Sequence, residues 1–442
     1  MNFGIDKQTL EELNLLGKFK QGSVYHLFNQ VKTRGGEKLL DDMFRHPLTD
    51  VNEINARSDI FRFFGQLQLS FPFDVQQINL VRDYMDASAS KQAVMVLAGM
   101  YMRKVLSSLT RDERYKKNIQ GLHAVIITLN KAYEFAISIP ERDHPYAGRV
   151  KAIREILQQK WLEKLRRMDI YQAMSVNTIA FYEHLLKAKH FQEMENILQF
   201  IYETDVYISL SKVAAERSFG HAFALPADAN VFAAGALSHP CITGAVSNDV
   251  QMDTDRNVFF LTGANMAGKS TLMKSIGIAM YLAHMGFPVA ATKLEFSVRV
   301  GMYSSINVAD NIGLGYSHFY AEVVRVKRAA EAAASGKRLL LMFDELFKGT
   351  NVKDAYDGTL AVTEGFAGYS QCLFIVSTHI TEVGQALDQH SNIRFRYMPT
   401  VMEGSHPRYT YKLEAGITED RQGMMIIRNE GILELLDAVG VS

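Results

Sequence analysis

The chain has 442 residues, 48% hydrophobic and 22% charged, with 30 Gly and 9 Pro, which is material for two or three domains with buried cores and excludes collagen-like, low-complexity and largely disordered proteins. Lys plus Arg equals Asp plus Glu at 48 each, so a nucleic-acid partner has to be held by a local basic patch and not by net charge. The two cysteines, Cys241 and Cys372, are far apart in sequence, which excludes a disulfide framework or a CxxC zinc site and fits a reducing compartment.

The amino terminus carries acids among its first residues and no uninterrupted apolar run, so it does not read as a signal peptide. No segment approaches the roughly 18–20 apolar residues of a membrane helix, and a cytoplasmic protein without a membrane partner is expected. From about Thr9 to Ser218 apolar residues recur at three- and four-residue spacing, as at Met194, Ile197, Leu198 and Ile201, which predicts helix after helix. Phe219 to Ala236 is rich in small residues and turn formers and reads as a connecting segment, with the domain boundary near Leu225. Beyond it the pattern alternates. Val258 to Leu261 predicts a buried strand, Lys269 to Met285 a helix, and Ala321 to Ser335 an Ala-rich helix closed by Gly336. Leu339 to Phe343 and Cys372 to Ser377 predict strands of a parallel sheet covered on both faces. The expected fold class is a mainly α domain over residues 1–225 followed by an α/β domain over 226–442.

The sharpest motif is Gly263, Ala264, Asn265, Met266, Ala267, Gly268, Lys269, Ser270 and Thr271, which satisfies G-x-x-x-x-G-K-[ST] between the predicted strand and helix. Glycines at the bend let backbone N–H groups converge on phosphate oxygens, and the helix N-terminus adds positive potential. Lys269 is then placed to reach the β and γ phosphates and Ser270 to ligate Mg²⁺, whereas a mere Gly-rich turn is the bland alternative. The run Leu339 to Phe343 ends in Asp344 and Glu345, as a Walker B strand does. Asp344 would hold Mg²⁺ and Glu345 would polarise the attacking water; an ordinary strand ending in solvated acids carries the same residues. After the next apolar run, His379 of Ser377-Thr378-His379 stands where it can sense the γ-phosphate or hold the water, although a lone His is also often structural. The cofactors implied are ATP and Mg²⁺.

These motifs, taken with Asp310-Asn-Ile-Gly-Leu-Gly315-Tyr-Ser317-His-Phe319 and Asp344-Glu-Leu-Phe-Lys-Gly-Thr350, resemble the MutS family of DNA mismatch-repair and recombination ATPases. The Asn-Met within the phosphate loop and the Gly-x-Ser-x-Phe segment are distinctive of that family, and His239-Pro240 and Asn248-Asp249 match its approach to the loop. Val31 to Leu48, Ile54 to Arg57 and Glu203 to Ala214 are similar to parts of its lever (core) domain. The resemblance implies a helical lever joined to a P-loop ATPase domain of the ABC/MutS type, nucleotide contacts from the loop and Asn248, and a homodimer in which Gly315 and Ser317 reach the γ-phosphate held by the other copy. It further implies DNA as partner and a possible MutL-like protein. The departures shape the expectation: the match starts at the lever, so no mismatch-reading or connector domain has a counterpart in it. The span from Leu48 to Asp205 is short for a lever with a full DNA clamp, so a reduced or absent clamp is expected. The aromatic that stacks on adenine falls on Ala245, and Phe347 and Lys348 replace a Gly and an Arg after Walker B.

For DNA the basic candidates are Arg149, Lys151, Arg154, Lys160, Lys164, Arg166 and Arg167, where acids are sparse; the same residues also read as a solvated helix face. Trp161 sits inside the patch and reads as core. The reading is a Mg²⁺-dependent ATPase that grips duplex, mismatched or branched DNA as a dimer in repair or recombination. Two alternatives stand beside it: a P-loop ATPase acting on a protein partner without DNA, and a DNA-binding scaffold whose pocket has lost turnover.

Overall fold

The computed structural model describes residues 3–17, 20–88, 90–110, 113–140, 143–306, 318–403, 406–418 and Leu435. In chain order its helices are α1 Lys7–Glu12, α2 Val24–Phe28, α3 Arg34–Arg45, α4 Val51–Leu67, α5 Val75–Asp86, α6 Ala93–Leu109, α7 Arg114–Ser138, α8 Ala147–Leu157, α9 Lys160–Arg166, α10 Val176–His184, α11 Phe191–Glu216, α12 Lys269–His284, α13 His318–Ala334, α14 Val352–Ala367 and α15 Thr381–Leu387. The strands are β1 Gly4–Ile5, β2 Gly220–Leu225, β3 Phe232–Leu237, β4 Asn248–Met252, β5 Val258–Gly263, β6 Pro288–Val289, β7 Lys293–Ser297, β8 Gly301–Ser305, β9 Leu339–Asp344, β10 Leu373–Ser377, β11 Ile393–Met398, β12 Thr400–Glu403, β13 His406–Tyr409 and β14 Glu414–Ala415. Among the described residues no helix is long and apolar enough to cross a membrane.

Two compact units divide the chain: residues 30–42 with 59–212, and residues 1–29, 43–58 and 213–442. The boundary expected near Leu225 marked a change of composition. The units follow contacts instead, and the amino-terminal segment joins the sheet unit because Gly4 and Ile5 of β1 pair with Gly301 and Met302 of β8.

In the helical unit, α7 is the central element and packs against α5, α6 and α8. Gly121 on α7 admits the ring of Tyr84, since a Cβ there would stand 2.5 Å from that ring. Met194, Ile197, Leu198 and Ile201 are all buried along α11, as the periodicity predicts. One buried polar joint crosses this core. The Asp205 carboxylate accepts from the N–H groups of Lys32 (3.0 Å) and Thr33 (2.7 Å) and from Thr33 Oγ1 (2.7 Å), so α11 satisfies the donors at the start of α3.

In the other unit a seven-stranded sheet runs β1-β8-β9-β10-β5-β11-β14, parallel except for the β11–β14 pair. β5 is buried at every position because helices cover both faces of its sheet and strands flank it on both sides. A second sheet runs β4-β3-β7-β2-β6. This corrects the expected connecting segment, for Phe219 to Ala236 supplies two of its strands. The small residues there answer to close approach and not to turns: a Cβ on Gly220 would lie 2.4 Å from Ala291 O, and Ala222 and Ala224 alternate inward on either side of exposed Phe223. α1 is fastened to β8, the residue after it and α13 by side chains: Thr9 Oγ1 accepts from Ser304 N–H at 3.0 Å, Glu12 accepts from Ile306 N–H at 3.1 Å, and Arg325 of α13 donates to the N-cap residue Asp6 at 2.9 Å.

His284, at the end of α12, is fully buried; the tautomer that fits donates Nδ1–H to Leu48 O (2.8 Å) and accepts Arg299 N–H at Nε2 (3.2 Å). Burial draws its pKa down to about 4, with Arg299 adding to the shift. A depressed folded-state pKa gives stability that is present above the unfolded value near 6.5 and lost as pH falls through the folded value. Unfolding free energy should therefore drop between pH 6.5 and about 4, by about 3 kcal/mol from this group alone. His239, also drawn down to about 4 by burial, adds to the same window. Urea titrations across this range should give a shallower slope for His284→Gln than for the native chain; equal slopes would show that His284 does not carry the effect.

Candidate functional site

β5 ends at Gly263, where φ is +146°, and the chain turns through Met266 (φ +69°) and Gly268 (φ +104°) into α12. Positive φ disfavours side chains at both glycines, and the space is tight: a Cβ on Gly263 would stand 3.1 Å from Met398 O, and one on Gly268 3.0 Å from the Tyr411 ring. No side chain caps the start of α12, so its first-turn N–H groups are presented by a loop of backbone. Lys269 opens the helix and is buried, its Nζ donating to Gly263 O (2.8 Å) and Ala264 O (3.1 Å). Burial pulls its ammonium below the ordinary lysine range, opposed by the carboxylates of Asp344 and Glu345.

Two strands away, β9 ends in Asp344. Parallel pairing sets Ser377 of β10 level with Asp344 on one side and with Leu261 of β5 on the other. Ser270 Oγ donates to Asp344 Oδ2 at 2.5 Å, whereas Oδ1 is buried with no hydrogen-bond partner. Burial raises the Asp344 pKa; the Ser270 hydroxyl, hydrogen-bonded to it, favours the carboxylate and limits the rise. A hydroxyl and a carboxylate in contact, with one carboxylate oxygen unsatisfied and a lysine nearby, form an oxygen donor set that fits Mg²⁺.

Glu345 adopts φ +52° and its N–H donates to Ser377 O at 2.8 Å, which sets its side chain at the mouth of the same loop. Its carboxylate stands 3.9 Å from His379 Nδ1 and 3.6 Å from Lys348 Nζ. Phe347, also at positive φ, packs its ring on Gly358, and Lys348 faces Glu345, so the two departures in this turn have defined contacts.

A cleft of about 670 Å³ opens beside these groups and is lined by Asn265, Met266, Gly268, Lys269, Ser270, Thr271, Asn248, Glu345, Ala245 and Tyr411. Asn248 is a brace: it donates to Tyr411 O (2.9 Å) and accepts Leu413 N–H (2.8 Å), holding the segment after β13 against β4. Tyr411, at φ +56° and 44% exposed, puts an aromatic face into the cleft from far along the chain. No local pattern signals it, because its place follows from the fold of β11 to β14. Gly315 and Ser317 lie outside the described residues.

The basic candidates divide within the helical unit. Arg149 turns inward onto Glu203 (3.0 Å), which leaves its guanidinium committed to the core. Arg154 caps Ala136 O and Ile139 O, and Arg166 lies over the Tyr133 ring at 3.8 Å. Lys151, Lys160, Lys164 and Arg167 are exposed, Arg167 beside Glu163. Trp161 is half-buried and stacks on His190 at 4.3 Å.

Two family descriptions match the chain, MutS domain III over residues 8–211 and MutS domain V over residues 259–436. Among curated relatives, the DNA mismatch repair protein MutS of Leuconostoc mesenteroides is 23% identical over 99% of this chain and 62% of its own length. That of Caldicellulosiruptor saccharolyticus is 22% identical over 97% and 61%. That of Anaplasma phagocytophilum is 30% identical over 44% and 23%. The chain thus spans about three fifths of the length of the relatives it matches almost throughout.

A buried carboxylate with an unsatisfied oxygen costs stability, so Asp344→Asn should raise the unfolding free energy without added ligand at pH 7 by about 1 kcal/mol. Mg²⁺ should then raise the melting midpoint of the native chain and leave that of Asp344→Asn unmoved. A variant that is less stable than the native chain, yet still responds to Mg²⁺, would rule out this account of Asp344.

Proposed function

We propose that this chain, which belongs to the MutS family, is a Mg²⁺-dependent ATPase that couples its nucleotide state to a grip on DNA. The observation that supports it most is the Ser270–Asp344 hydrogen bond between the first turn of the uncapped helix α12 and the end of β9. The N–H groups of the 263–271 loop and Lys269 Nζ are the donors for phosphate oxygens, and Ser270 with Asp344 is the holder of Mg²⁺. Bound Mg²⁺ would neutralise phosphate charge as it shifts toward the leaving oxygen. Glu345 is the group that orients and takes a proton from the attacking water, and His379, within reach of the same carboxylate, positions it. The sheet register, which sets Asp344 level with Ser377 and Leu261, supports this assignment.

Gly315 and Ser317 enter on sequence alone as the groups a second copy would offer to the γ-phosphate, which makes the working unit a homodimer. DNA contact is assigned to the exposed Lys151, Lys160, Lys164 and Arg167, with Arg149 left out because Glu203 holds it. A MutL-like partner and a cytoplasmic setting complete the proposal.

Steady-state ATPase activity on homoduplex, mismatched and four-way-junction DNA at two salt concentrations tests this reading. Stimulation that weakens with salt is expected; a rate indifferent to every DNA at both salts would leave the protein-partner ATPase in its place. Lys269→Ala should lower kcat/KM by about 10²–10³-fold, and Glu345→Gln should retain nucleotide binding while losing turnover. With Ala245 at the usual aromatic position, Tyr411 is assigned as the surface on which the base stacks. Base stacking is worth about 1–3 kcal/mol, so Tyr411→Ala should raise KM for ATP about tenfold or more while kcat holds, and Tyr411→Phe should behave as native. An unchanged KM in Tyr411→Ala would remove Tyr411 from the site.

A further inference from the structure

Arg256, Arg394 and Arg396 converge at a groove of about 410 Å³ on the sheet unit, separate from the cleft at the 263–271 loop. Arg394 and Arg396 are two apart on β11 and so point to the same face of the sheet, level with Phe259 and Leu261 of β5. Arg256 precedes β5 by two residues and joins them from the neighbouring strand's entrance. Three arginines line this groove, and its described lining includes a single carboxylate. Asp388 lines the groove, Asp253 Oδ2 stands 3.3 Å from Arg394 Nη2, and the other titratable group on the rim, His390, faces Glu364 at 3.4 Å.

The cations are also poorly satisfied. Arg394 Nε is buried without an acceptor, and its two longer contacts, to Gln251 and Asp253, are both 3.3 Å. Among the described residues Arg396 donates to Phe395 O alone, and the Arg256 side chain has no ion pair or hydrogen bond. Burial lowers the pKa of Arg394 and of Arg396; Asp253 opposes the shift at Arg394, where Arg256 adds to it, and at Arg396 both Arg394 and Arg256 add to it. Three arginines lining one groove favour an anion between them.

From this juxtaposition we infer a second oxyanion site, in which Arg256, Arg394 and Arg396 hold a phosphate group. Guanidinium matches phosphate because its N–H groups form a planar fork that takes two oxygens at once. The groove is open and polar, so the ligand is a phosphate carried on a larger body or free in solution and not an enclosed small molecule. A nucleic-acid backbone phosphate and a small phosphate ester share this chemistry.

Thermal unfolding of the full chain in inorganic phosphate, against chloride at matched ionic strength, reads the site directly. Phosphate should raise the midpoint of the native chain and of Lys269→Ala alike, while Arg394→Gln/Arg396→Gln should bind phosphate at least tenfold more weakly. Without phosphate, Arg396→Gln should melt no lower than the native chain, because it relieves like-charge crowding; this separates loss of the site from loss of the fold. Equal phosphate responses in the native and double-variant chains, or no response in either, would overturn the proposal. So would a response lost in Lys269→Ala, which would return the anion to the nucleotide loop. A short oligonucleotide identifies the source. If Arg396→Gln lowers the slope of log affinity on log salt by about 1, the phosphate belongs to a nucleic acid; an unchanged slope assigns a small phosphate ester.

Discussion

The register of three strands governs everything at the candidate site. Leu261, Ser377 and Asp344 stand level across β5, β10 and β9, and only that level lets a serine on the first turn of α12 meet an acid at the end of β9. A slip of one residue would turn Asp344 to the opposite face and replace it with Phe343 or Glu345. The slip is prevented from below. β5, β9 and β10 are buried nearly throughout, and a one-residue slip of any of them would turn its side chains, Phe259 and Phe260 on β5, Leu341 on β9 or Ile375 on β10, out of their pockets at about 1.5–3 kcal/mol each. Apolar burial thus fixes the position of a polar pair that by itself contributes little to stability.

How much of this was legible depends on how local each determinant is. The 263–271 loop is readable because binding phosphate with backbone needs glycines, a lysine and a hydroxyl in one continuous run, and the apolar strands before Asp344 and Ser377 are readable because a covered parallel sheet needs them. β2 and β3 escaped because the close approach to β7 demands Gly220, Ala222 and Ala224, and small residues have the composition of a turn. β1 escaped because two residues have no period; its strand character exists only through Gly301 and Met302, almost three hundred positions later. Arg394 and Arg396 lie within an apolar-looking strand, and nothing in the chain shows that Arg256 comes to stand beside them. Arg149 shows the converse error, since a basic residue in a basic run looks solvated until Glu203 is seen against it.

Each unit also carries buried polar joints in a surrounding of hydrophobic contacts, and two of them are instructive. Asp205 gathers the donors of Lys32 and Thr33, and His284 links Leu48 to Arg299. Such groups cost desolvation, and each would be costly to leave half-satisfied, so they discriminate among packings that apolar contacts alone would accept. Gly36 fits this reading: a Cβ there would fall 2.8 Å from the Asp205 carboxylate, so the joint requires a glycine at a helix position where glycine is otherwise unfavourable.

Backbone strain is distributed in the same economical way. Met266, Glu345 and Tyr411 all hold left-handed φ and all line the large cleft, and Phe347 holds it in the turn just beyond. Side chains other than glycine resist that conformation by about 1 kcal/mol or more, so these positions persist only where their surroundings over-determine them. Here the determinants are visible: Glu345 N–H is held by Ser377 O, Phe347 by Gly358, and Tyr411 by Asn248. Each anchor lies on, or beside, an element whose place is already fixed by the buried sheet. The strain therefore turns the rigidity of β5, β9 and β10 into the direction of a few exposed groups, and it turns them toward one cleft.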